Sequence, residues 1–140
     1  MTADPFVDIA PARALGVQVA EWADGRVALT APLAPNLNDK GTAFAGSINS
    51  LLVLAGWAAI TLSLKDHGLA ADVMVVTSQT EYTAALRGEL EAEATISADE
   101  TARAVQELKE RGRSRVVLQS ALPGFATMTA SYAVVRRRRP

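Results

Sequence analysis

One stretch of this 140-residue chain, residues 36–57, concentrates glycines and neutral polar side chains. Within it, Asn38 and Gly41 belong to a tight loop, and Gly46 and Ser47 fall in the predicted first turn of a helix. Backbone N–H groups in a first helical turn lack partners within the helix. Together with the helix dipole, they attract an anion or a developing oxyanion. The segment therefore predicts a site that polarises the carbonyl group of an acyl substrate.

The rest of the composition limits the chemistry available to such a site. The chain contains no cysteine, which excludes a thiolate nucleophile, a disulfide scaffold and cysteine-ligated metals. Its only histidine is His67, so a multi-histidine metal centre is excluded, and we expect no cofactor. A thioester suits so sparse a site, because it is intrinsically electrophilic and its thiolate leaves readily. A carboxylate or an amide would then position the attacking water.

The candidate catalytic residues are the presumptive oxyanion donors and the groups able to place water: Asn38, Asp39, Gly46, Ser47 and Glu81. Ser47 has no evident base nearby in the sequence, so we expect it to orient the carbonyl group or water rather than act as a nucleophile. Asn49 and Ser50 are further polar candidates on the same helix.

Each of these features also has a purely structural interpretation. Gly46 would equally allow close packing of the helix against a neighbour. Asn38 would equally cap its own loop, which is the common use of asparagine in turns. Ser47 and Ser50 would equally bond back into their helix. Glu81 shares a strand face with Gln79 and Thr83, and the alternation leaves open whether that face is buried or wet.

The elements that would position this site follow from hydrophobic periodicity. Residues 15–22 and 26–33 are predicted to form a β-hairpin around Asp24-Gly25, a dipeptide typical of tight turns. A long helix should begin at residue 42 or 43 and end near residue 65. Its uncharged stretch, residues 41–64, is nominally long enough to span a membrane. We interpret it instead as a helix buried inside a domain, because polar side chains and glycines recur along it.

The remaining elements are four strands and a short helix. Strands are predicted at residues 73–84, 89–96, 113–121 and 125–135, and a helix at residues 100–111. The fold class is therefore α+β, with six antiparallel strands curved around a long central helix. A split α+β sandwich with both helices on one face has the same elements and remains an alternative. We expect one domain over residues 1–140, with an N-terminal arm at residues 1–14 and a basic tail at residues 136–140.

Charge is divided unevenly along the chain. Residues 1–102 carry a net charge of −8 and residues 103–140 a net charge of +7, whereas the whole chain carries −1. The overall balance predicts no attraction to nucleic acid. The absence of a signal-peptide pattern and of a second apolar span predicts a cytoplasmic protein without a membrane partner. An antiparallel sheet has two exposed edges that need covering, so we expect a homodimer or a dimer of dimers.

The chain also resembles hotdog-fold thioesterases, most closely the YiiD C-terminal-domain-like thioesterase family. The resemblance extends from Leu15 to Val135 and is carried by Asn36, Asn38, Gly41, Thr42, Phe44, Gly46, Ser47, Leu51 and the run Leu54-Ala55-Gly56-Trp57, with further support from Tyr82 and Arg87-Gly88. It implies a sheet wrapped on a central helix, dimers with sites at the subunit interface, and acyl-CoA or acyl-carrier-protein substrates. The candidate substrate-binding residues are Asn36, Gly41, Thr42, Phe44, Ser50, Arg87 and Arg113. Arg87, Arg113 and Arg115 would contact CoA phosphates, because arginine forms paired hydrogen bonds with phosphate, or would equally be solvated at strand edges.

Departures from two related patterns lead to a second functional hypothesis. Phenylacetate-type hotdog thioesterases carry a histidine where this chain has Phe44 and an acid where it has Val53. Hydroxybenzoyl-CoA-type relatives carry an aspartate at the position of Asn38. The leading hypothesis is a thioester hydrolase, and the alternative is a non-hydrolytic acyl-CoA-binding or regulatory protein. Hydratase chemistry is disfavoured, because its usual aspartate-histidine pair is missing from the motif.

Overall fold

The computed structural model describes residues 4–137, which form an α+β domain with one six-stranded antiparallel sheet. Its elements in chain order are α1 (Ala10–Leu15), β1 (Gln18–Ala23), β2 (Arg26–Ala31), α2 (Ala45–Asp66), β3 (Ala71–Tyr82), β4 (Leu90–Thr95), α3 (Ala98–Arg111), β5 (Arg113–Leu122) and β6 (Ala126–Arg136). A short 3-10 turn at Ala34–Asn36 precedes α2. The strand order is β1-β2-β4-β5-β6-β3, so β1 and β3 form the two edges.

The central helix is held in the concave face of this sheet. α2 contacts five strands, β2 to β6, and α3 packs on β5, β6 and α2. Two sheet hydroxyls anchor its middle, because Ser120 donates to the carbonyl oxygen of Leu52 at 2.9 Å and Tyr132 to that of Val53 at 2.8 Å. This arrangement confirms the curved sheet around a long helix, rather than the split sandwich.

α2 is the single helix in residues 4–137 that is long and apolar enough to cross a membrane. Two thirds of its most apolar window is buried inside the domain, at 67%. The burial agrees with its interpretation as a core helix.

Alternation along the strands places apolar side chains toward α2. In β4, Leu90, Ala92 and Ala94 are buried while Glu91 is exposed. The predicted hairpin turn is also present, since Asp24 and Gly25 both have positive φ, 52° and 80°. This pair of left-handed residues matches the twist of the flanking strands.

Residues 4–14, the described part of the predicted N-terminal arm, pack against the domain. Phe6 is 1% exposed, and Ala12 in α1 is fully buried. Leu15 ends α1 instead of opening β1, which begins at Gln18. A six-residue helix is too short for periodicity to reveal, and its position depends on contacts with α2. Of the predicted basic tail, Arg136 ends β6, Arg137 pairs with Asp72, and residues 138–140 lie outside the described part of the chain.

Strand β3 is an edge strand with unusual exposure. Met74, Val75 and Val76 are 47%, 42% and 49% exposed, and β3 pairs with β6 alone. The ladder to β6 skips Val76, which forms a bulge between Val75 and Thr77. A long apolar edge of this kind favours pairing with another strand.

Candidate functional site

The start of α2 presents three free backbone amides. Within residues 4–137, the N–H groups of Ala45, Gly46 and Ser47 have no hydrogen-bond partner, whereas Ile48 donates to the carbonyl oxygen of Phe44 at 3.0 Å. No side chain caps the helix at Phe44. Ala45 is exposed, Gly46 is half-buried and Ser47 is buried. The helix start is therefore a donor site for an anion or a carbonyl oxygen.

Two neighbouring segments fix the direction in which the helix begins. The N–H of Phe44 donates to the carbonyl oxygen of Asn36 at 2.7 Å, and that of Ala43 to the carbonyl oxygen of Leu86 at 2.8 Å. The buried side chain of Asn36 donates in turn to the carbonyl oxygens of Leu15 and Pro32, at 2.9 and 2.8 Å. Asn36 therefore has a structural role, because it links the segment before the helix to Leu15 and Pro32.

Asn38 is engaged in organising the loop before the helix. Its side-chain oxygen accepts from the N–H groups of Lys40 and Thr42 at 2.8 and 3.0 Å, and its amide donates to the hydroxyl of Thr42 at 2.7 Å. The exposed Gly41 has a positive φ of 77°, which closes this turn. The loop is thus held by hydrogen bonds from Asn38, with Gly41 and Thr42 in the turn. The side chain of Asn38 caps its own loop, as the structural interpretation predicts.

The ring of Phe44 lies over the helix start. A Cβ atom added to Gly46 would overlap Cε2 of the Phe44 ring, so the glycine leaves room for this ring. The side chain is 53% exposed. Phe44 therefore lies beside Gly46 at the helix start with about half of its surface open to solvent.

Neutral polar groups line the side of α2 that faces β3. The hydroxyl of Thr80 donates to Oδ1 of Asn49 at 2.7 Å, and the hydroxyl of Tyr82 donates to the carbonyl oxygen of Ala45 at 3.2 Å. Ser47 is buried, and its hydroxyl makes no hydrogen bond within the described chain. Ser50 is exposed on the same half of the helix. These groups have the chemistry to orient water beside a carbonyl group.

Thr80 and Tyr82 were not among the predicted site residues. The period of two along β3 was the available signal, because it places both on one face. It could not show that this face meets α2.

The two candidate carboxylates are exposed and make no hydrogen bond to the helix start within residues 4–137. The side chain of Asp39 is 82% exposed and pairs with Lys40 at 3.0 Å. Glu81 is exposed and lies opposite Thr127, whose neighbour in β6, Met128, is buried toward α2. Glu81 therefore projects from the outer face of the sheet. Of the two alternatives, a buried or a solvent-exposed strand face, the structure has the solvent-exposed one.

The predicted phosphate-binding arginines are divided between the two ends of the sheet. Arg87 is exposed and follows Leu86, whose carbonyl oxygen binds the loop before α2. Arg113 instead begins β5 opposite Val135, which pairs with Asp72 at the start of β3. Ten residues of strand, roughly 33 Å, separate that end of β3 from Tyr82 beside the helix start. Within one chain, only Arg87 adjoins the candidate site.

No set of side chains in the described part of the chain is arranged to bind a metal ion. Residues 4–137 contain no group of three or more histidine, aspartate or glutamate side chains placed to hold an ion. The site that the structure assembles is a set of backbone amides surrounded by neutral polar and aromatic side chains.

Comparison with known proteins adds a family and a fold. A sequence model of the family described as "Putative thioesterase (yiiD_Cterm)" matches residues 7–133. A solved structure of a protein of unknown function from Chlorobaculum tepidum is 26% identical, with a TM-score of 0.88, 94% of this chain and 90% of that chain being covered.

Two further solved structures have the same fold. A putative thioesterase from Shewanella oneidensis is 24% identical with a TM-score of 0.80, covering 91% of this chain and 89% of its own. A Pseudomonas aeruginosa protein described as a probable thioesterase is 23% identical with a TM-score of 0.80, covering 94% of this chain and 91% of its own.

Proposed function

The chain belongs to the YiiD C-terminal thioesterase family, and we propose that it hydrolyses acyl thioesters carried by coenzyme A or acyl carrier protein. The observation that carries this proposal is the set of three unpartnered amides at the start of α2, from Ala45 to Ser47. Such donors stabilise the oxyanion that forms when water attacks a thioester carbonyl. Because these carrier-linked thioesters are formed inside cells, the proposal includes a cytoplasmic location.

In the proposed reaction, the carbonyl oxygen of the thioester accepts hydrogen bonds from these amides. Water attacks the carbonyl carbon, the carbon–sulfur bond breaks, and a carboxylic acid and a thiol leave. Ser47 and Asn49 orient the water, since both lie on the first turns of α2 and carry neutral polar groups. Asn38 acts indirectly by holding the loop, and we assign no step to Asp39 or Glu81, which are both exposed.

The proposal includes a homodimer formed through β3. Two copies of one edge strand that extend a sheet across a two-fold axis must run antiparallel to each other. The pairing would cover Val75 and Val76, whose exposure is otherwise costly. It would also bring the start of α2 in one subunit beside the start of β3 in the other, because Tyr82 adjoins α2 at the far end of β3.

Arg87 is the side chain best placed to recognise the carrier. It follows Leu86 next to the loop before α2, and a guanidinium group pairs well with phosphate. Replacing Arg87 by alanine should raise KM for an acyl-CoA and leave KM unchanged for the same acyl group on N-acetylcysteamine, which has no phosphate. An equal rise with both substrates would contradict this role.

Release of free thiol from a panel of acyl-CoA and acyl-carrier-protein thioesters tests the proposed function directly. The sharpest comparison is between Phe44→Ala and the double variant Phe44→Ala/Gly46→Ala, because the first removes the ring that a Cβ at Gly46 would overlap. The remaining difference then reports how the added methyl group affects a ligand at the amides. We expect kcat/KM of the double variant to be about tenfold or more below that of Phe44→Ala.

The matched control is Gly88→Ala, since a Cβ at Gly88 meets no atom within 4 Å. It should have wild-type activity. Equal activity of the single and double variants would remove the helix start from the reaction. No turnover of any thioester by the folded protein would remove the hydrolase itself.

A second function, non-hydrolytic binding of acyl-CoA, is favoured by one observation. No carboxylate of residues 4–137 makes a hydrogen bond or ion pair with the first turn of α2. A binder would be stabilised thermally by CoA thioesters without releasing thiol. Turnover of any of them would exclude this alternative.

A further inference from the structure

An apolar groove lies at the opposite end of α2 from the free amides. It runs between the N-terminal segment, the second half of α2 and the beginning of β3, and it has a volume of about 760 Å³. Its lining is mostly apolar and includes Val7, Ile9, Trp57, Leu69 and Val73. Five charged side chains also line it: Asp4, Asp8, Lys65, Asp72 and Arg137. Pockets that bind small molecules are mostly apolar and typically enclose roughly 300–1,000 Å³. The groove is therefore large enough for the alkyl part of a ligand.

One wall of the groove is fixed by an aromatic anchor. Phe6 is 1% exposed, and its ring lies 5.8 Å from the ring of Trp57. The turn around Phe6 is closed by its own N–H bonding to Asp4 Oδ1 and by the N–H of Ile9 bonding to its carbonyl oxygen, both at 2.9 Å. This anchoring holds the neighbouring Val7 at the opening, where it is 55% exposed. This wall of the groove is therefore held in place by packing and hydrogen bonds.

A polar atom is buried in the lining of the groove. The hydroxyl oxygen of Thr61 on α2 is inaccessible to solvent and makes no hydrogen bond within residues 4–137. Buried hydroxyls are normally paired. A water molecule would reach this hydroxyl only if the neighbouring side chains moved. A mostly apolar lining with a few polar groups is the usual composition of a small-molecule site.

The groove is too far from the free amides of its own chain to share a substrate with them. Thr61 follows Ala45 by sixteen residues of helix, a distance of about 24 Å. In the proposed dimer, antiparallel pairing of β3 places the helix start of one subunit beside the start of β3 in the other, where the groove lies. The amides and the groove of two different subunits would then adjoin.

We propose that this groove binds the alkyl chain of the acyl thioester whose carbonyl group is held at the helix start of the other subunit. The inference rests on the proposed function and deepens it, because it identifies the substrate class as thioesters of medium or long acyl chains. Each added methylene that enters an apolar site should tighten binding about fourfold. Affinity should therefore rise with chain length until the groove is filled.

Trp57 provides a direct test that does not need turnover. The chain has two tryptophans, so Trp22→Phe leaves Trp57 as the only indole. Its emission is followed while S-alkyl-CoA thioethers of increasing chain length, dodecanoate and free CoA are added. Longer alkyl chains and dodecanoate should shift the emission to the blue and bind progressively tighter, whereas free CoA should not shift it. A Trp57 signal unresponsive to every chain length would overturn the proposal.

A pair of equally exposed valines provides the matched control. Val7 at the groove is 55% exposed, and Val117 on the outer face of the sheet is 57% exposed. Val7→Glu should weaken dodecyl-CoA binding at least about tenfold, while Val117→Glu should retain wild-type binding. Identical binding by the two variants would also overturn the proposal.

These measurements separate the two hypotheses. Chain-dependent binding without thiol release would support the groove and refute the hydrolase. Thiol release with no dependence on chain length would support the hydrolase and refute the groove.

Discussion

The hydroxyl of Tyr132 donates a 2.8 Å hydrogen bond to the carbonyl oxygen of Val53 and lies directly against the Cα of Gly56. Burial raises the pKa of Tyr132, so the hydroxyl keeps its proton and remains a donor. A Cβ at Gly56 would overlap this hydroxyl. The glycine in the middle of α2 is therefore required by the contact between helix and sheet, and it has no contact with the candidate site.

Gly56→Ala should lower the free energy of unfolding by about 1–3 kcal/mol, because it overpacks the core. Combining it with Tyr132→Phe removes the oxygen that overlaps most but leaves the ring carbons Cζ and Cε1 at 2.7 and 2.9 Å from the added Cβ. The double variant should therefore lose somewhat less stability than the sum of the two single changes, without full recovery. Denaturant unfolding of all three proteins measures this coupling. Gly88→Ala, which meets no neighbour, should leave stability nearly unchanged. Strict additivity would show that the Tyr132 hydroxyl is not the obstacle.

Asn38 should contribute to activity through the loop that it holds. Asn38→Ala leaves two backbone N–H groups, those of Lys40 and Thr42, without their acceptor, and we expect a loss of about 1–2 kcal/mol of stability together with reduced thioester turnover. Asn38→Asp keeps both acceptor bonds and should recover most of the stability. Melting temperatures and thiol release measure the two effects. If Asn38→Ala abolished turnover at full stability, Asn38 would instead act directly on the substrate.

Periodicity in the sequence was sufficient for elements whose burial follows from local alternation. Leu90, Ala92 and Ala94 lie toward α2 as predicted, and Asp24-Gly25 turns the first hairpin. Alternation groups residues on a face but does not say which face meets the helix, and this is why the exposure of Glu81 required the structure.

Long-range contacts could not be predicted from the sequence either, because periodicity reports only on neighbouring residues. The burial of Phe6 depends on its packing against Trp57, fifty-one residues later. The free amides at the start of α2 were predictable, because every helix has them. The groove beside Trp57 was not, because three distant segments form it.

Glu107 should make the stability of the second half of the domain sensitive to acid. The hydroxyl of Ser114 at 2.6 Å and the guanidinium of Arg103 at 2.8 Å hold the pKa of this carboxyl below its ordinary value. A lowered pKa in the folded state stabilises the protein above the unfolded pKa, near about 4.3 for glutamate, and the benefit is lost as the pH falls through the folded value.

Glu107→Gln should therefore unfold more easily than the wild type at pH 7, and the difference should shrink progressively below about pH 4. Thermal unfolding across this range checks it, with Glu91→Gln as the control, since Glu91 is exposed and takes part in none of the ion pairs of residues 4–137. A stability difference that persisted unchanged into acid would contradict an electrostatic origin.

The exposed edge of β3 should determine the oligomeric state. Val76 forms the bulge in this strand and is 49% exposed. A lysine at this position should therefore change the free energy of unfolding of the isolated subunit little. In an antiparallel β3 pair, the same lysine would meet the charge of its symmetry mate across the two-fold axis, and edge lysines oppose strand pairing. Val76→Lys should therefore be a folded monomer by light scattering and circular dichroism, with thioester turnover strongly reduced because each site would lose its neighbouring subunit. Val117→Lys places the same charge on the outer face of the sheet and should remain dimeric and active. A dimeric Val76→Lys protein would show that the subunits associate through another surface, and a fully active monomer would show that one chain contains the whole site.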